Sequence, residues 1–122
     1  MSRSAAGGAG GAAQLRETEA VPVFAALADA TRLRLLRRLS SGESLSISRL
    51  SEGERVTRQA ITRHLYALGR AGLVRHQRKG REQVWDLDLK RLEKARGYLD
   101  HVAAQWDQAA LRLKAFVEET EK

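Results

Sequence analysis

The stretch whose reading decides the fold is Val56-Thr57-Arg58-Gln59-Ala60-Ile61-Thr62-Arg63-His64-Leu65-Tyr66-Ala67-Leu68-Gly69-Arg70-Ala71-Gly72. Wound as a helix at about 100° per residue, it lines up Ile61, Leu65 and Leu68 on one narrow apolar stripe. Gln59, Thr62, Arg63, Tyr66 and Arg70 fall on the opposite side. Thr57 is a suitable N-cap, its hydroxyl accepting from an early helical N–H. Gly69 loosens the helix and Gly72 ends it. The free face offers guanidinium forks, an amide and a hydroxyl with an aromatic ring beside them. Those are the donors and acceptors that read base edges in a major groove. A polar outer face is also what any surface helix shows, so the neighbouring segments have to decide between the two readings.

Charge is the first of these. The 122 residues carry a net charge of +7, which favours an anionic partner. Residues 57–82 hold Arg58, Arg63, Arg70, Arg75, Arg78, Lys79 and Arg81 against Glu82 alone, so nearly the whole excess sits around the helix. A bland solvated surface would spread it. The chain has no cysteine, which excludes disulfides, thiolate metal sites and a thiol nucleophile and fits a reducing, cytoplasmic setting. Three scattered histidines and no paired-carboxylate motif leave no nucleophile–base couple, so no enzyme is expected. No run reaches the 18 or so apolar residues that would span a membrane. Gly7, Gly8, Gly10 and Gly11 make residues 1–14 read as a flexible arm rather than a signal peptide.

Upstream of the helix, residues 15–29 read as a first helix with Phe24, Leu27 and Ala28 as its apolar side; Pro22 suits either an early helical position or an irregular lead-in. Asp29 caps a second helix that stops at Gly42 and buries Leu33, Leu35, Leu36 and Leu39, leaving Arg34, Arg37 and Arg38 wet. A short third helix, roughly residues 46–52, carries Ile47 and Leu50. Helix, short turn, then a helix with a polar face is helix-turn-helix order. Downstream, residues 73–77 and 83–87 are short β-prone runs around Arg78-Lys79-Gly80-Arg81-Glu82, a hairpin with a basic tip and Gly80 in its turn. Such a hairpin after a recognition helix is a wing, placed to straddle neighbouring phosphates or the minor groove.

From about residue 88 to 119 the pattern is one long helix. Leu92, Ala95, Leu99, Val102, Trp106, Ala109, Leu113 and Phe116 follow at alternating spacings of three and four, an a/d seam kept for more than three heptads. A helix so striped cannot cover its own seam and needs a second copy or another long helix. The predicted fold class is therefore mainly α with a small β-hairpin: a winged helix-turn-helix over residues 15–122, including a long C-terminal dimerisation helix. Leu92, Leu99, Val102, Trp106, Leu113 and Phe116 are its expected interface residues.

Phe24-Ala25-Ala26-Leu27-Ala28-Asp29-Ala30-Thr31-Arg32-Leu33-Arg34, then His64-Leu65 through Ala71-Gly72-Leu73-Val74, then the Gly80-Arg81 wing, resemble the ArsR/SmtB family of winged-helix transcriptional regulators. The resemblance covers roughly residues 20–117. It implies homodimers joined through the first and last helices, sitting as repressors on an imperfect palindrome of double-stranded DNA and leaving when an inducer binds. The chain departs from the metal-sensing members. Where they place a Cys-x-Cys pair it has Ile47-Ser48-Arg49-Leu50-Ser51-Glu52, and Asp100 and His101 are adjacent with no histidine after them. No metal and no cofactor is therefore expected; the inducer is unidentified and its chemistry is not that of the familiar metals. Tyr66 stands where a basic residue is common in the family, and Ala30 where proline is frequent.

On this reading Gln59, Thr62 and Arg63 touch bases, with Tyr66 alongside. Arg58, Arg70, Arg78, Lys79 and Arg81 touch phosphates, which position the protein without specifying sequence. His64 is a packing or phosphate-contacting residue, His76 a surface residue on the wing, and His101 a polar residue beside the seam. Trp85 and Leu87 share a strand face that seals the wing onto the core, the alternative for Trp85 being to stack on a base. Trp106 is an interface anchor, or else part of an effector pocket at the dimer seam. The competing function is a winged-helix interaction or RNA-binding module without a palindromic DNA target, although the narrow major groove of RNA would exclude the helix at residues 57–71.

Overall fold

The computed structural model describes residues 15–121, so the arm expected at residues 1–14 lies outside the described residues. Among the described residues the contacts divide into two units: Glu17–Leu92, and residues 93–121 together with residues 15 and 16.

In the first unit, α1 spans Glu17–Leu27, shorter at both ends than the predicted 15–29. Glu17 and Glu19 lie in its first turn, where carboxylates meet the positive end of the helix dipole. Pro22 is inside the helix; the bond it deletes would have ended on the carbonyl of Thr18, an exposed residue. The buried stripe is Ala20, Val23 and Ala26, not the expected Phe24, Leu27 and Ala28. Phe24 and Leu27 are half-buried and Ala28 is exposed, because the small side chains rather than the large ones face the neighbouring helices.

The chain breaks at Asp29, which takes an extended conformation and accepts the backbone N–H of Arg32 at 3.0 Å, capping α2 (Ala30–Leu39) as predicted. Leu35, Leu36 and Leu39 are buried, but Leu33 is 51% exposed. It lies about 60° beyond Leu36 and about 120° from Leu39 around the helix, too far to share their face. Arg34 and Arg38 are not simply wet. Arg38 donates to the carbonyls of Leu50 at 2.8 Å, Glu52 at 3.0 Å and Arg49 at 2.6 Å. These lie at the C-terminal end of α3 (Ile47–Ser51), where helical carbonyls run out of helical N–H partners; that of Arg49 also accepts the Glu52 N–H at 3.2 Å. Arg34 reaches the nearly buried Glu54 carboxylate at 3.0 Å, and that bond raises its guanidinium above the ordinary value. Two side chains of α2 thus hold the turn that leads into the next helix.

That helix, α4, runs Arg58–Arg70, with Thr57 accepting the Ala60 N–H at 3.0 Å. Ile61, Leu65 and Leu68 are fully buried, the stripe predicted for them. It ends in a Schellman arrangement: Gly72, at φ +80°, donates to the Gly69 carbonyl, and Leu73 donates to that of Leu68. The chain then enters β2 (Val74–Lys79) and β3 (Glu82–Leu87), longer than the predicted runs, so Arg78 and Lys79 lie in the strand and the tip is Gly80-Arg81. Gly80 has φ +62°, which the tight mirror-image turns of two-residue hairpins require.

A third strand, β1 (Leu45–Ser46), was not predicted. It pairs antiparallel with β3, Leu45 opposite Trp85 and Ser46 opposite Val84, giving the sheet order β1-β3-β2. Two residues carry no readable period; the pairing arises because the edge of β3 is open and needs covering. Trp85 is completely buried, with Leu50, Leu65, Leu73 and Val74 also in the core.

Helix α5 spans Leu89–Thr120, close to the expected 88–119, and at 32 residues is about 48 Å long. Asp88 precedes it and accepts the Lys90 N–H. In the second unit Leu15 donates its N–H to the Lys94 carbonyl. The seam residues Leu99, Trp106, Leu113 and Phe116 are each more than half exposed within one chain. Among the described residues no helix is long and apolar enough to cross a membrane.

Candidate nucleic-acid interface

The expected reading residues all lie on α4 and the hairpin, and folding treats them differently. Gln59 and Arg63 are exposed. Thr62 is half-buried and spends its hydroxyl proton on the Arg58 carbonyl at 2.9 Å, which leaves the oxygen as an acceptor only. Arg58 is exposed and donates through its guanidinium to the Ser48 hydroxyl at 2.9 Å. Tyr66, 40% exposed, has its ring held edge-on by Trp85 at 5.2 Å and His76 at 5.8 Å. Arg70, Arg78, Lys79 and Arg81 are exposed. Among the described residues, Arg58, Arg63, Arg70, Arg78, Lys79 and Arg81 make no ion pair, whereas Arg75 is matched to Asp86 at 3.5 Å. Six cations on one helix and one hairpin are therefore without a carboxylate partner.

Two clefts gather part of this set. Arg58 and Arg81 share one of about 550 Å³, and Tyr66 and Arg70 share another of about 360 Å³ with His76 and Trp85. Gln59, Arg63, Arg78 and Lys79 line neither. His76 is more than a bare surface residue. It stands opposite Trp85 in the β2–β3 register with ring centres 4.7 Å apart, so three aromatic rings brace the wing against α4. The Trp85 indole N–H is buried without a partner.

His64 ties α4 to the start of α2. Its Nδ1 accepts from Arg32 Nε at 3.1 Å, with Asp29 Oδ1 3.9 Å away. The Asp29 carboxyl is held below its ordinary value, chiefly by the Arg32 backbone N–H, with the nearby His64 as a further contributor. The residues that sequence reasoning passed over are Arg49, Ser48 and Gln83, which meet Arg58 and Arg81 in the larger cleft. They come from α3 and β3, far from Arg58 in sequence, so no local pattern marks them. Among the described residues no group of three or more His, Cys, Asp or Glu is placed to hold a metal ion. On α5, Asp100 and His101 are both exposed.

Three helices, a turn held by arginines, a helix with its polar face outward and a β-hairpin after it define a winged helix-turn-helix protein. The family model for the helix-turn-helix domain matches residues 27–77. The chain is 40% identical over 68 residues to the uncharacterized HTH-type transcriptional regulator YuzN of Bacillus subtilis strain 168, a match covering 51% of this chain and 74% of that one. Among solved structures, an ArsR-like transcriptional regulator from Rhodococcus sp. RHA1 superposes with a TM-score of 0.72 at 36% identity, covering 81% of this chain and 92% of that one. The homodimeric winged helix-turn-helix DNA-binding domain Mb0332 of Mycobacterium bovis, a possible ArsR-family regulator, gives a TM-score of 0.56 at 25% identity, covering 72% and 80%. The chain belongs to the ArsR family of helix-turn-helix transcriptional regulators.

Proposed function

We propose that the protein is a homodimeric repressor that binds an imperfect palindrome in double-stranded DNA and releases it on a signal other than the familiar metals. The observation that carries this reading is the set of six cations without a carboxylate partner on α4 and the wing, the exposed Arg63 among them, beside the exposed Gln59. Guanidinium forks without carboxylate partners are free to take phosphate and guanine edges. Gln59 and Arg63 read bases, Thr62 accepts from one, and Tyr66 packs against the backbone or a thymine methyl. Arg58, Arg70, Arg78, Lys79 and Arg81 hold phosphates. The seam of α5, with Leu92, Leu99, Val102, Trp106, Leu113 and Phe116, pairs two copies, in keeping with the homodimeric M. bovis domain. A two-fold axis then sets two α4 helices in successive major grooves about one turn apart. The protein acts in the cytoplasm without catalysis, through its occupancy of DNA.

Selecting bound fragments from the host genome supplies the operator, and mobility shifts on it, on random duplex and on double-stranded RNA test the proposal. Binding to the operator is expected to exceed that to random duplex, with RNA weakest. Arg63→Ala should weaken operator binding by about 1–3 kcal/mol and relax preference at one base pair. Equal losses on operator and random duplex would remove Arg63 as a base reader, and tighter binding to RNA would overturn the DNA reading.

A further inference from the structure

The larger cleft carries chemistry that the helix and wing considered separately do not. Its walls come from three places: Ser48 and Arg49 of α3, Arg58 at the first turn of α4, and Arg81, Glu82 and Gln83 of the hairpin. Three guanidinium groups from three elements converge there against one carboxylate. The register pairs that carboxylate, Glu82, with Lys79 across the hairpin. Arg49 has a single loose ion pair, to Glu52 at 3.8 Å, with both side chains about two-thirds exposed, so it is largely available. Solvent screens such a cluster, but like charges gathered around a concavity still favour an anion placed among them.

We infer that this cleft is the seat of one DNA backbone phosphate, held jointly by Arg49, Arg58 and Arg81, with Ser48 as the residue that positions Arg58. The inference rests on the DNA-binding reading and deepens it. A phosphodiester presents two charged oxygens, and guanidinium forks match that geometry better than point charges do. Ser48 accepts from Arg58 at 2.9 Å and so fixes one fork before DNA arrives. Gln83 lines the wing side of the cleft with its amide nitrogen bonded to His76 Nδ1 at 2.5 Å, which leaves its second N–H as a further donor. Because Arg58 directly precedes Gln59, a phosphate held here sets the depth at which the first base-reading side chain enters the groove. The seat thereby joins the turn, the recognition helix and the wing to a single point on the backbone. Glu82 is the one group in the cleft that opposes the ligand.

The test uses the full chain and fluorescence anisotropy on the selected operator across a salt series. Arg49→Ala should lower the slope of log affinity against log salt by about one, the signature of one lost phosphate contact, and weaken operator and random duplex alike. Glu82→Gln should move the other way and tighten binding severalfold. Ser48→Ala should weaken binding in the native chain and have no effect once Arg58 is alanine, a coupling that a merely structural serine would not show. Replacing successive linkages with neutral methylphosphonate should reveal one position per half-site that costs the native protein affinity and costs Arg49→Ala clearly less. A salt slope unchanged in Arg49→Ala while the native chain still binds duplex overturns the seat and leaves the DNA reading standing. Competition by inorganic phosphate at matched ionic strength, with no linkage standing out, also overturns the seat. Failure of the native chain to bind any duplex overturns both.

Discussion

Trp106 offers the sharpest test of how two chains pair. Its side chain is 71% exposed within one protomer, in the middle of the α5 seam. A tryptophan contributes on the order of 250 Å² of surface, so about 180 Å² of it faces outward in the single chain. If half of that is covered by a partner helix, about 90 Å² at about 25 cal/mol per Å² is worth about 2 kcal/mol. A two-fold interface counts the residue twice, for about 4 kcal/mol, or about a thousandfold in the dimer Kd. Trp106→Ala should therefore turn a dimer stable at nanomolar concentration into one that dissociates near micromolar, read by sedimentation velocity across a dilution series. The melting of the separated chain should shift little, because few of the ring's contacts lie within its own protomer. A dimer Kd altered by less than about threefold would refute the seam as the contact. A native chain that sediments as a monomer at tens of micromolar would refute the pairing itself.

The two glycines that flank the end of α4 should respond in opposite directions. A methyl at Gly69 would meet the Val74 carbonyl at 3.8 Å and the Trp85 ring at 3.9 Å, ordinary contacts, so Gly69→Ala should gain about 0.5–1 kcal/mol in helix propensity. At Gly72, φ +80° and an Arg91 Nε 3.0 Å from the added carbon should make Gly72→Ala cost about 1–2 kcal/mol, both seen as shifts in urea midpoint. Asp29 caps α2 with a carboxyl whose folded pKa is depressed. Its added stabilisation is therefore complete above the ordinary value of 3.8 and is lost as pH falls through the lower folded value. Asp29→Ala should cost about 1 kcal/mol at pH 7, with a smaller deficit near pH 3; equal deficits in melts at the two pH values would contradict the charged cap.

What the sequence determined by itself is whatever depends on neighbours a few residues apart. The Ile61, Leu65 and Leu68 stripe, the Asp29 and Thr57 caps, the Gly80 turn and the three-four rhythm along α5 are all local periodicities or local backbone demands, and each is legible in one pass along the chain. The concentration of cations between residues 57 and 82 is legible in the same way. Tertiary structure alone decided what depends on partners far apart in sequence. Leu33 lost its place in the core because the buried arc of α2 is narrower than its apolar residues. Arg38 became the cap of a helix whose carbonyls lie 11 to 14 residues away. Leu45 and Ser46 became a strand only because the edge of β3 stood open beside them. Arg49, Arg58 and Arg81 meet in one cleft although no repeat or spacing relates them. The physical reason is the same in each case: a side chain's place on its own helix follows from the angle between successive residues, while what it touches follows from how separate elements pack.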